Sequence, residues 1–102
     1  MPPYSTPAYP NSAKPAFVSV RYMVEAEVSP GLLSRLLQPF AKRDISPDRM
    51  WSSRSGDTVH AEIAVEQLEP DLLHRIEGNL NQVVGVISVV AVLPRSLAVA
   101  AE

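Results

Sequence analysis

The stretch Val18–Leu37 reads VSVRYMVEAEVSPGLLSRLL, and its change of rhythm at residues 28–31 decides the fold. From Val18 the apolar residues fall on every second position: Val18, Val20, Tyr22, Val24, Ala26. Between them lie Ser19, Arg21, Glu25 and Glu27, so the spacing predicts a strand with one buried face. Phe17 and Met23 fall on the other face, which is therefore not wholly polar. Ser29-Pro30-Gly31 breaks the strand. Serine is a good helix N-cap, and proline suits a first helical position because its missing N–H is not needed there. Leu32, Leu33, Leu36, Leu37 and Phe40 then recur at helical spacing. Pro39 sits inside that pattern and predicts a kink or an early end.

Downstream, Ile45-Ser46-Pro47-Asp48 reads as a connector. Arg49–Ser55 is a weakly patterned strand, expected at a sheet edge, and Ser55-Gly56-Asp57 turns it into a hairpin. Val59, Ala61, Ile63 and Val65 alternate with His60, Glu62 and Glu66, which marks a third strand. Glu69-Pro70-Asp71 opens a second helix with a stripe of Leu72, Leu73, Ile76, Leu80 and Val83. After Gly85 the run Val86–Leu93 is apolar on both faces, and Pro94 ends it. Strand, helix, strand, strand, helix, strand is the order of two interleaved split βαβ units. The expected class is α+β, a ferredoxin-like βαββαβ sandwich: a four-stranded antiparallel sheet with both helices on one face.

The rest of the chain sets bounds. Its 102 residues fit one domain, and 46% apolar residues are enough for a core. Residues 1–15 hold half of the ten prolines and read as a disordered tail, with residues 95–102 as a short second tail around a domain at 16–94. The net charge of −2 argues against a nucleic-acid partner. With no cysteine, disulfides, thiolate zinc sites and thiol chemistry drop out. The start of the chain has no secretory pattern, and Val83–Leu93 is too short to span a bilayer, so a cytoplasmic location without membrane contact is expected.

In this order the chain resembles the ACT family, on the turn Ser29-Pro30-Gly31-Leu32, the helix SRLLQPFAKRDI and the run LNQVVGVISVVAV from Leu80 to Val92. Asp44 stands where the family's helix usually ends in glycine. Within the family the layout, with LLSRLL and LNQVVGV, is most similar to the small regulatory subunit of acetolactate synthase. The resemblance implies a stand-alone regulatory domain, not an enzyme and without a cofactor. Such a domain would modulate a catalytic subunit of amino-acid metabolism, in that case one of branched-chain amino-acid synthesis. It also implies a homodimer that binds a small ligand, an amino acid, at its interface. By resemblance the ligand positions are Val28, Ser29, Gly31, Leu32, Leu33 and Ser46. Val28 replaces the Asp or Asn, and Ser46 the Asn, that commonly hold the ligand in this family. Valine can neither donate nor accept a hydrogen bond. The alternative is therefore an accessory subunit with a lapsed pocket.

His60 and His74, the only histidines, are expected on opposite sides of the sheet, so no metal site is expected. Glu25, Glu27, Glu62 and Glu66 fall on an open face, where nothing shifts a carboxylate toward acid–base work, and Arg21 can pair with Glu62 or Glu66. An RNA-recognition module would need aromatic and basic residues in the third strand, which reads TVHAEIAV. The outward sheet face is expected to carry Phe17, Met23, Ile87, Val89 and Ala91, an apolar patch suited to a homodimer interface.

Overall fold

Strand β1 (Val18–Glu27) lies at the centre of an antiparallel sheet in the computed structural model, which describes residues 16–94. The two tails read from the sequence lie outside the described residues. Helix α1 (Leu32–Ala41) follows, then β2 (Arg49–Ser55) and β3 (Thr58–Leu68). A 3-10 turn at Pro70–Leu72 leads into helix α2 (Leu73–Asn81), and β4 (Val86–Val92) closes the chain of elements. The sheet order is β2-β3-β1-β4, so the ferredoxin-like βαββαβ class read from the sequence is the fold observed, with β2 at an edge.

The alternation of β1 is realised in full. Val20, Tyr22, Val24 and Ala26 are buried, and they meet Leu32, Leu36 and Phe40 of α1 and Ile76 and Leu80 of α2. β3 adds Ala61, Ile63, Val65 and Leu68 to the same core. Tyr22 is fully buried, and its ring meets Phe40 edge-on at 5.8 Å with an interplanar angle of 66°. Its hydroxyl donates to the Leu73 carbonyl at 2.7 Å, tying the central strand to the first turn of α2. Burial pushes that hydroxyl's pKa well above its ordinary value, and the negative charge of Glu77 adds to the shift.

Several local expectations are corrected. Ser29 is not the N-cap of α1, nor Pro30 its first residue. Gly31 is the cap, in the left-handed region at φ 72°, and Ser29 is held by Arg35 instead. Pro39 does not end α1 at once, because the last turn continues to Ala41 with Pro39 packed among buried residues. The second helix proper starts at Leu73, behind the 3-10 turn. At the end of α1, Asp44 occupies a left-handed position at φ 57°. The Ile45 N–H reaches the Phe40 carbonyl at 2.9 Å and the Asp44 N–H reaches that of Ala41 at 3.1 Å, a Schellman closure that ordinarily uses glycine.

The last strand carries the largest correction. Its pairing to β1 slips between Glu25 and Ala26, where Ser88 and Val86 are the successive partners and Ile87 is the extra residue of a bulge. Past the bulge the phase is opposite to the expected one. Val89 pairs with Val24 and Ala91 with Tyr22, so both turn inward against the core and leave the outward face. Val90, opposite Met23, takes their place outside.

Candidate functional site

A concavity is built where β1 runs into α1. A hollow of about 420 Å³ is lined by Val28, Ser29, Gly31, Leu32 and Leu33 on one side, and by Ser52, Ser53, Arg54 and Val59 on the other. It thus lies on the helix-bearing side of the sheet, between the first turn of α1 and the β2–β3 hairpin.

The turn that shapes it is over-determined. The Leu32 N–H donates to the Ser29 carbonyl at 3.2 Å, and the Arg35 N–H to that of Gly31 at 3.0 Å. One turn along the helix, the Arg35 guanidinium folds back onto the loop. It donates from Nη2 to Ser29 Oγ at 2.6 Å and from Nη1 to the Pro30 carbonyl at 2.7 Å. Its Nε is buried and has no hydrogen-bond partner among the described residues. A Cβ built on Gly31 would meet Arg35 Nη1 at 3.5 Å, an ordinary contact. The glycine is therefore set by its positive φ and not by lack of space.

Chemically the hollow offers one polar rim and one apolar wall. The backbone N–H groups of Leu33 and Ser34 have no backbone acceptor among the described residues, as expected of a helix's first turn. The Arg54 guanidinium stands across from them, with Nε engaged by the Gly56 carbonyl at 2.9 Å. Val28, Leu32 and Val59 supply the wall. A carboxylate with a small apolar body matches this division. No acidic side chain lines the hollow, so an ammonium group would rely on the hydroxyls of Ser29, Ser52 and Ser53.

Of the positions that resemblance assigned to a ligand, Val28, Ser29, Gly31, Leu32 and Leu33 come together here. Ser46 does not. It lies past the opposite end of α1, about 15 Å of helix away, in a separate hollow with Asp44, Asp48 and Glu66. Sequence reasoning missed Ser52, Ser53 and Arg54. The available signal was WSSRS, an edge strand whose inward positions Ser52 and Arg54 are polar.

The outward face has its own shallow groove of about 270 Å³, floored by Met23 and Glu62 and flanked by Trp51 and Val90. Phe17, Met23, Trp51, Ile87 and Val90 are between 39% and 57% exposed, and Met23, Trp51 and Val90 of these line the groove. Arg21 meets Glu62 at 3.4 Å on this face, one of the two pairings the sequence suggested. His60 and His74 are exposed, and no cluster of three or more His, Cys, Asp or Glu side chains could hold a metal among the described residues. No helix among them is long and apolar enough to cross a membrane.

No protein-family model matches the chain, and no curated protein matches it in sequence. Solved structures do match. The ACT domain from GTP pyrophosphokinase of Chlorobium tepidum superimposes with a TM-score of 0.65 at 14% identity, over 74% of this chain and 99% of that one. The fold is ACT-like. The C-terminal domain of the MgtC protein from Mycobacterium tuberculosis matches with a TM-score of 0.64 at 16% identity, over 82% of this chain and 96% of that one. At such identities the likeness extends to the ACT-like fold and not to any residue of the hollow.

Proposed function

We propose that the chain is an ACT-type regulatory domain that takes a small carboxylate, an amino acid first of all, in the hollow between β1, α1 and the β2–β3 hairpin. It passes the occupied state to a partner enzyme. The observation that carries this reading is the pairing of unclaimed Leu33 and Ser34 N–H groups with Arg54 around an apolar wall. An ACT domain of an enzyme among the similar structures supports the setting. The hollow opens beside the edge strand β2, where an enzyme surface can close it. The outward apolar face serves a homodimer. The partner we favour is acetolactate synthase, on the stretches LLSRLL and LNQVVGV alone.

The test is thermal stability with each of the twenty amino acids and with simple 2-oxo acids. A ligand at about a hundred times its Kd adds about 2.7 kcal/mol, which raises Tm by about 10 °C or more in a domain this small. Substituting Arg54→Met should abolish the shift. Co-purification with a thiamine-dependent catalytic subunit tests the named partner.

A second reading, an accessory subunit with a lapsed pocket, is favoured by Val28 in the wall and by the Arg35 guanidinium already satisfying Ser29 and Pro30. No shift with any compound would select it.

A further inference from the structure

The register of the sheet sorts the outward face into bands that run across the strands. Arg21 and Arg49 share a band, joined through Ala64 of β3 between them. The next band is Trp51, Glu62, Met23 and Val90, one residue from each strand. The band after it holds Ser53, His60, Glu25 and Ser88. Along the direction of β1 the face thus carries two arginines, then a mainly apolar band, then a polar band whose one carboxylate is Glu25. Glu62, the charge in the middle band, leans on Arg21 of its own chain at 3.4 Å.

Two of the two-fold stackings of one sheet face on another keep the strands of the two copies aligned. An axis along the strands lays the arginine band on its own copy and the Glu25 band on its own copy. An axis across the strands, through the middle band, runs β1 against β1 in opposite directions. Arg21 of each copy then faces Glu25 of the other, giving two such pairs, and the middle bands meet residue on like residue: Trp51, Met23 and Val90 on their copies, and Glu62 on Glu62, each held by the Arg21 of its own chain. We infer that a second copy of this chain docks on the outward face in this second, antiparallel arrangement, with Trp51, Met23 and Val90 at the centre and reciprocal Arg21–Glu25 pairs beside it. Val89 and Ala91 take no part, because they face the core. Charge complementarity under one rotation sets the geometry, and exposed aromatic and aliphatic side chains at its centre supply the burial.

This deepens the homodimer of the proposed function and does not depend on its ligand, since the hollow lies on the other side of the sheet. A ligand-induced Tm shift in a monomer would overturn the dimer alone, and a dimer without any shift would overturn the ligand alone.

The experiment is sedimentation of the full chain across a dilution series, with Trp51, the only tryptophan, as a fluorescence reporter. The expected result is a dimer whose Trp51 emission moves red on dissociation. Arg21→Glu sets Glu against Glu at both pairs and should raise the dissociation constant roughly ten- to a hundred-fold. The double variant Arg21→Glu/Glu25→Arg exchanges the charges and should restore the dimer. Val90→Glu should abolish it. Circular dichroism confirms that each variant is folded, and the charge pair stands as the test if Val90→Glu is not. A monomeric parent chain, an Arg21→Glu variant that dimerises as the parent does, or a double variant no tighter than Arg21→Glu would each overturn the inference.

Discussion

Replacing Tyr22 by phenylalanine separates two roles of one hydroxyl. The ring stays, with its 5.8 Å edge-on contact to Phe40 and its place at the centre of the core. What goes is the 2.7 Å hydrogen bond to the Leu73 carbonyl. That carbonyl sits in the first turn of α2, where the helical N–H four residues on also reaches it, so it is not orphaned. The loss at neutral pH is then that of one ordinary hydrogen bond, about 1 kcal/mol. Alkali reverses the ranking. In the folded chain the hydroxyl's pKa is raised above the ordinary 10.0 by burial, so the unfolded chain releases this proton first. The stabilisation is whole below about pH 10 and is lost above it, at about 1.4 kcal/mol per pH unit. At about pH 11 the parent should have lost about 1.4 kcal/mol that Tyr22→Phe keeps, so the two stability curves cross between about pH 10 and 11. Urea unfolding followed by circular dichroism, at one protein concentration and half-unit pH steps, measures this. Curves that stay parallel through pH 11.5 would refute the assignment of a protonated, buried Tyr22.

Two of the positive-φ positions, Asp44 and Gly31, give opposite expectations. Asp44→Gly relieves a left-handed conformation at φ 57° and should stabilise the domain by about 0.5–1 kcal/mol, seen as a Tm rise. Gly31→Ala imposes the same strain at φ 72° with no clash beyond a 3.5 Å contact. It should lower stability by about 1–2 kcal/mol in urea while leaving the core intact.

The legibility of this fold in its sequence follows from which strands have one wet face. β1 and β3 each bury one side, so Val20, Tyr22 and Val24, like Ala61 and Ile63, announce their direction by alternation. β4 is apolar at nearly every position, and a phase cannot be read from a run without polar markers. The bulge at Ile87 then shifts it, which is why Val89 and Ala91 were expected outside and lie inside. The glycine-bearing turn was visible as a strand-to-helix break, but its capping was not. Ser29 and Arg35 are six positions apart and find each other only after α1 has formed. Ser46 was placed by resemblance, and only the length of α1 shows that it sits at the wrong end. Ser52 and Arg54 were legible in principle, as polar residues on the inward side of β2, but an edge strand offers weak grounds for choosing which side is inward.

The pairing of β1 with β4 has a mechanical consequence. Arg21, near the start of the first strand, lies opposite Val92, at the end of the last. A pull applied between residues 16 and 94 would load the ladder between these two strands from one end. Its bonds run perpendicular to the strands and would open one after another, like a zipper. A sheet stretched along its strands would instead share the load over all of them at once. The domain should therefore yield at low force, and β4 should peel away first while β1 stays paired to β3.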